Sequence, residues 1–351
     1  MGDDEDKETA RSIAKAQGLQ YHCIPTERCG AINVYVQGDL EPIQKSFNPL
    51  GQQTRTDKDG HTTQQQAVFL TVHNAGANHQ EWLRFANHPA MAPIKNNSVF
   101  IHLDIPGQEA NAELLQLGKD PAGEDKKFPT MQELGEDLVN VLDTLRIKYV
   151  VGIGHGAGAN IMMRFGMTHS QRCLGIVLLH PTSMSATLFD NIQEKVTSRK
   201  RSIGLGSGGA GDLSEFQVNI MNMAKYVQSF QDRDDVSDKL KTGLKVDALL
   251  ITGSKSSSLK ACDQMFQNCN KTRTSIIRYD DVTDPLGQAQ VKVADNVLLF
   301  VKGCGWLTSV TLPNVQSIEE RRASQDSTGR RMSMDDYDKP NIRRLSLTGA
   351  T

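Results

Sequence analysis

The sequence predicts an α/β fold: a mostly parallel sheet with helices on both faces, a helical cap insertion and a disordered C-terminal tail. Three observations carry that expectation. Short apolar runs alternate with helical segments along most of the chain, the pattern of a parallel sheet covered on both sides. One run, Tyr149-Val150-Val151-Gly152-Ile153, passes through Gly154-His155-Gly156-Ala157-Gly158 straight into the helical stretch Ala159–Phe165. A long insert, from about Met184 to Leu244, separates the sixth apolar run from the seventh.

The elements follow in order. Residues 1–18 form an acidic N-terminal segment, opening Met1-Gly2-Asp3-Asp4-Glu5-Asp6. It lacks the apolar stretch of a signal peptide, and Asp6 stands where a myristoylation motif needs Ser or Thr. Leu19–Ile24 and Ala31–Val36 read as strands around a turn at Arg28-Cys29-Gly30. The polar stretch 48–66 reads as a long loop or surface insertion. Ala67–Val72 and Ser98–Asp104 are buried strands, the first ending in His73-Asn74-Ala75-Gly76 and the second in Ile105-Pro106-Gly107-Gln108. A helix begins after Thr130, because Met131, Leu134, Leu138, Val141 and Leu142 share one face. Thr130 and Glu133 form its capping box. Leu174–Leu179, Ala248–Ile251 and Ser275–Tyr279 are further strands, and a last helix spans about Gln288 to Val301. The folded domain is expected over 19–306. Beyond it, at 307–351, apolar content falls and a disordered, phosphorylatable tail is expected.

The bulk properties exclude several classes. In 351 residues the formal net charge is -2, which points to no nucleic-acid partner. No run of about 18 apolar residues predicts an integral membrane segment. The six cysteines show neither metal-ligand spacing nor the density of a disulfide framework, so free thiols in a reducing cytoplasm are expected. No cofactor or metal is expected.

Strand, glycine turn and helix is the setting of the G-x-S-x-G nucleophile elbow of α/β-hydrolases. Here Gly154, His155, Gly156, Ala157 and Gly158 occupy it, and the nucleophile's place holds Gly156, which has no side chain to attack with. The acid would follow the strand ending near Thr252, where Gly253-Ser254-Lys255-Ser256 offers no carboxylate. The histidine would follow the strand ending near Tyr279, yet the last histidine of the chain is His180. No catalytic residue is therefore assigned; the elbow reads as vestigial. Pocket candidates are His73, Asn74, Gly76, His155 and Ala157, because backbone N–H groups near Asn74 and at Ala157 could receive an anion or carbonyl. His155 as a general base would still need a nucleophile or water within reach. Asp104 is expected to cap the Pro106-Gly107 turn. Gly204-Leu205-Gly206-Ser207-Gly208-Gly209 fits G-x-G-x-x-G by letter only, since no strand precedes it. The run Asp232–Asp235, with Asp238 and Lys239, reads as a solvated helix face.

With the elbow, the Asp104-Ile105-Pro106-Gly107-Gln108 turn, the Phe128-Pro129-Thr130-Met131 helix entry and the segment Phe300–Trp306, the chain resembles the N-myc downstream-regulated (NDRG) family. Its elbow is similar to the family's Gly-x-Gly-Ala-Gly-Ala at residues 154–159. The resemblance spans roughly Leu19 to Trp306. It implies an α/β-hydrolase-like fold without catalysis, a role in growth, differentiation or stress signalling, and kinase sites in the C-terminal tail.

The tail carries that last point on its own residues. Arg321-Arg322-Ala323-Ser324, Arg330-Arg331-Met332-Ser333 and Arg343-Arg344-Leu345-Ser346 repeat Arg-Arg-x-Ser. Paired arginines before a serine suit the acidic groove of a basophilic, AGC-type kinase, and an extended segment enters such a groove readily. Ser324, Ser333 and Ser346 are the expected phosphorylation sites, with Arg201-Ser202 a weaker fourth. The expected function is a cytoplasmic, non-enzymatic signalling or scaffold protein that meets such a kinase and other signalling proteins. The alternative is an atypical hydrolase, or a ligand-binding sensor, using the pocket around His73 and His155.

Overall fold

Eight strands form one sheet in the order β1-β2-β4-β3-β5-β6-β7-β8 in the computed structural model, which describes residues 11–45, 66–118, 126–186 and 216–311. The strands are β1 (Gln20–Pro25), β2 (Ala31–Gln37), β3 (Ala67–Val72), β4 (Ser98–Asp104), β5 (Val150–His155), β6 (Cys173–Leu179), β7 (Ala248–Gly253) and β8 (Thr274–Tyr279). β2 runs antiparallel to both β1 and β4, and every pairing from β4 through β8 is parallel. The longer helices are α1 (His79–Ala86), α2 (Met131–Thr144), α3 (Ala157–Thr168), α4 (Ile220–Gln231), α5 (Ser237–Gly243), α6 (Leu259–Asn268) and α7 (Gln290–Gly303).

The sequence pattern explains the layering. Every residue of β3, β4 and β7 is buried, so these strands read as largely apolar runs rather than alternating ones, with Thr71, Thr252, Ser98, His102 and Asp104 as buried polar exceptions. In α2 the expected face is buried: Met131, Leu134, Leu138, Val141 and Leu142. The capping box is formed, with the Glu133 N–H donating to Thr130 Oγ1 at 3.2 Å and the Thr130 N–H to Glu133 Oε2 at 2.8 Å. A cap contributes about 1 kcal/mol, whereas each buried Leu or Val contributes about 1.5–3 kcal/mol, so packing holds α2 and the cap sets where it starts. Gly135 lets α3 approach, since a Cβ there would lie 2.8 Å from that of Arg164.

The insert lies between β6 and β7 as expected, with α4 and α5 in its described part. Two expectations fail locally. The run Asp232–Asp235 is not a helix face: Asp232 is the C-cap of α4, and Asp235 accepts from the Ser237 N–H at 2.8 Å in the connection to α5. Only Asp238 and Lys239 are helical, in α5. Asp104 does not cap the Pro106-Gly107 turn, which closes through the Gln108 N–H and the Ile105 carbonyl, and it serves α1 instead. The chain divides between Val310 and Thr311. The Gly204–Gly209 run, Arg201-Ser202, nearly all of the 48–66 insertion and Ser324, Ser333 and Ser346 lie outside the described residues.

Candidate functional site

The C-terminal ends of β3, β4 and β5 meet the first turn of α1 and the start of α3. Parallel pairing of β3 with β4 and β5 places the loops after Val72, Asp104 and His155 side by side. Open α/β sheets bind ligands at this edge.

The elbow is built as a hydrolase would build it. Gly156, the N-cap of α3, sits at φ 54° and ψ -112°, a strained conformation for any residue with a side chain. The flanking glycines are needed for close approach. A Cβ on Gly154 would lie 2.5 Å from the Gly158 carbonyl oxygen, and one on Gly158 would lie 2.3 Å from the Val72 carbonyl oxygen. Real side chains do not tolerate such distances, so this pattern follows from how tightly α3 sits against β3 and β5.

The nucleophile's place is filled from elsewhere. A Cβ built on Gly156 would lie 2.1 Å from Asn74 Oδ1, so the Asn74 amide occupies the space that a catalytic side chain would need. That same oxygen accepts from the Ala157 N–H at 3.0 Å and the Ala75 N–H at 2.8 Å. In hydrolases the oxyanion hole is made by the N–H after the nucleophile and an N–H from the loop after β3. Here both donors are engaged by the chain's own carboxamide oxygen, which stands where a substrate oxygen would. Gly76, at φ +80°, completes the loop's turn.

The two histidines proposed from sequence are differently placed. His73 is fully buried. Its Nε2 accepts from the Ile105 N–H at 3.1 Å, which puts the ring proton on Nδ1, facing the Asn74 carbonyl at 2.7 Å. Burial pulls its pKa below the ordinary value, and the ring is a neutral brace between two loops. His155 Nδ1 lies 2.8 Å from Glu81 Oε1, while Glu81 Oε2 accepts from the Asn74 N–H at 3.0 Å. Burial opposes the charge on both partners, but their mutual attraction and hydrogen bond prevail, raising His155 and lowering Glu81. The two side chains form a hydrogen-bonded bridge beside the elbow. His180 stands edge-on to His155 at 5.5 Å. Burial, then the His155 charge, pushes it down to about 3.

Glu81, His79 and Tyr35 were not singled out from the sequence, and Asp104 was given another role. Glu81 lies three residues after Asn78, the N-cap of α1, whose side chain accepts from the Gln80 N–H. Asp104 Oδ2 lies 2.8 Å from His79 Nδ1, and its Oδ1 accepts from the His79 N–H. Tyr35 stacks on the His79 ring at 3.6 Å. The loops that would hold the acid and the histidine are tied together instead: Ser254 Oγ accepts from the Asp281 N–H at 2.9 Å, and Lys255 pairs with Asp281 at 2.8 Å. Among the described residues no group of three or more His, Cys, Asp and Glu could hold a metal, and no helix is long and apolar enough to cross a membrane.

The Ndr family model matches residues 57–209 and 212–308. The chain belongs to the Ndr family. Over 350 residues it is 35% identical to the uncharacterized protein ZK1073.1 of Caenorhabditis elegans, covering 94% of this chain and 95% of that one. It is 27% identical over 301 residues to protein NDRG3 of Xenopus laevis, with 77% of each covered. Among solved structures it is similar to a thermophilic esterase from Thermogutta terrifontis (TM-score 0.56, 14% identity), covering 81% of this chain and 99% of that one. It is also similar to a bacterial membrane phospholipase A (TM-score 0.59, 15% identity), covering 86% and 92%. At such identities the likeness is one of fold, and this Ndr chain has the α/β-hydrolase fold.

Proposed function

We propose that this Ndr-family chain is a non-enzymatic signalling or scaffold protein of the cytoplasm, controlled by phosphorylation of its tail. The observation that carries the first half is the Asn74 carboxamide, seated in the nucleophile's place and bonded to both oxyanion donors. An esterase must leave those donors open for the transition state, where one of them contributes about 3 kcal/mol. With no hydroxyl at Gly156 and no histidine after His180, an acyl group finds neither nucleophile nor base. His73 has both ring nitrogens engaged, and His155 is committed to Glu81, which also argues against the atypical hydrolase.

The second half rests on the three Arg-Arg-x-Ser repeats ending at Ser324, Ser333 and Ser346. Each phosphate brings about -1.5 to -2 charges, so the tail turns strongly acidic when all three are modified. Roles in growth, differentiation or stress signalling, which the family resemblance implies, belong to the same proposal.

The test has two arms. The purified protein and His155→Ala are assayed on a panel of activated acyl esters; the expected rate is that of buffer for both. A rate above buffer that His155→Ala removes would overturn the non-enzymatic half. The full chain is then treated with a basophilic kinase and digested for mass spectrometry. Phosphate on the three serines is expected, and none there would overturn the tail's role.

A further inference from the structure

The two ring nitrogens of the buried His73 are committed to different loops. Nε2 accepts from the Ile105 N–H at 3.1 Å, in the loop after β4. Nδ1 donates to the Asn74 carbonyl at 2.7 Å, in the loop after β3. A backbone N–H is a donor at every pH, so Nε2 serves here only as an acceptor. A doubly protonated ring has a donor at each nitrogen and no acceptor. Protonation would set one N–H against another, and the ring or Ile105 must move away. A neutral His73 is therefore a condition of the closed arrangement.

The same loop carries the plug of the elbow. Asn74, the next residue, takes the Ala75 N–H at 2.8 Å and the Ala157 N–H at 3.0 Å on its carboxamide oxygen. The loop is also tied through the Asn74 N–H, which donates to Glu81 Oε2 at 3.0 Å, and through the Tyr226 hydroxyl, which donates to the His73 carbonyl at 3.3 Å. The His73 ring adds the tie to the β4 loop, and it is a tie that acid can cut.

The titratable groups facing His73 come from three elements. Asp104 ends β4, Glu81 and His79 belong to α1, and the Tyr226 ring of α4 stands edge-on at 5.9 Å. Gly158 of α3, against the His73 carbonyl, carries no charge. Both carboxylates favour a proton on His73, and His79 opposes it. The carboxylates are already engaged, Asp104 by His79 and Glu81 by His155 and the Asn74 N–H. Burial outweighs them and holds His73 below its ordinary value of 6.5. Once the loop is open, the ring meets water and regains that value. The open form thus binds the extra proton, so the advantage of the closed form is full above 6.5 and is lost as pH falls. Glu81 is held below its ordinary 4.5 and keeps its charge over the first part of that fall. Tyr226 stays neutral throughout.

We propose that the 73–76 loop is an acid-operated latch: protonation of His73 expels its ring from between the two loops and draws the Asn74 carboxamide off the elbow, uncovering the Ala75 and Ala157 N–H groups. The latch does not depend on the non-enzymatic reading, since Gly156 offers no hydroxyl in either state. One proton is taken up, so the ratio of open to closed rises about ten-fold for each pH unit once the ordinary histidine value is passed.

The test is amide hydrogen exchange on the full chain, followed by NMR from about pH 7.5 to about pH 5, the range in which a free histidine titrates. Rates are divided by the intrinsic rate at each pH. The Ala75 and Ala157 amides are expected to lose protection by up to about ten-fold per pH unit, while amides of β5 and β6 keep theirs. Those core amides control for the acid sensitivity of the whole fold, to which His102 and His180, also held neutral by burial, contribute. His73→Gln offers the Ile105 N–H an acceptor that takes no charge, and its two elbow amides should stay equally protected across the range. Should that variant fail to fold, the parent's own ring decides: its nitrogen shifts should pass from the neutral to the doubly protonated form in the same pH step as the two amides. Protection that does not change with pH, loss only together with the core amides, the same loss in a folded His73→Gln, or a ring that protonates while both amides stay protected would each overturn the latch.

Discussion

Asn74 and Gly156 exclude one another's side chains: the carboxamide oxygen of one lies 2.1 Å from where a Cβ of the other would stand. Glycine at 156 is thus required twice, by its positive φ and by Asn74. Gly156→Ser should destabilise the fold by about 2–4 kcal/mol, from backbone strain plus overpacking. Asn74→Gly should relieve the overpacking part. Urea unfolding of the two single variants and the double variant measures this as a coupling energy. Strict additivity would show that the two sites do not touch.

Gly154→Ala and Gly158→Ala act on backbone rather than on a side chain. Each added methyl meets a carbonyl oxygen at 2.5 Å or less, so α3 must move off the sheet. A cost of about 3 kcal/mol or more is expected, at the upper end of overpacking effects. A fall in melting temperature of only a degree or two in either variant would contradict the close approach.

The Glu81–His155 bridge predicts a pH window. His155 is raised above 6.5, so its share of stability is full below the unfolded value and fades as pH rises through the folded one. Glu81 is lowered below 4.5, so its share is present above the unfolded value and is lost as pH falls through the folded one. Glu81→Gln should therefore lose most stability, relative to the parent, between those limits. In that variant the His155 ring should titrate lower, because burial is no longer opposed by a carboxylate. NMR titration of the His155 ring reads this directly, and an unchanged midpoint would remove Glu81 as its partner.

Asp104 carries both the backbone and the ring of His79, with the carboxylate fully buried. Asp104→Ala should cost about 3–5 kcal/mol, since it strands two donors away from water. Equilibrium unfolding checks it; a cost under about 1 kcal/mol would mean that the pair stabilises nothing.

The strands, α2 with its capping box, and the position of the insert were legible because each is written locally, in periodicity and in Thr130-x-x-Glu133. Gly156 was legible for the same reason. Asn74 in the nucleophile's place was not, because residues 82 apart in sequence meet only once β3 and β5 pair. Asp104 was misread for a related cause. Its local turn offered it a role, but β3 and β4 are neighbours, so the first turn of α1 reached it instead. Glu81 had a visible signal, an Asn78-x-x-Glu81 spacing at a helix start, yet its partner His155 comes from another strand. The Asp232–Asp235 run shows the converse limit: the charge pattern marked exposure for its three aspartates, but Arg233 is buried and the helix had ended at Gln231.

The filled elbow has a practical consequence for anyone profiling hydrolases with phosphonate warheads. Such reagents report an enzyme by bonding to the oxygen of its nucleophile while the oxyanion donors hold the phosphoryl oxygen. Position 156 offers no oxygen to phosphonylate, and a carboxamide already sits in the cradle. A phosphonate therefore gains no bond at residue 156, whether the protein is scarce or abundant, and its mass or its epitopes report its level independently of the elbow.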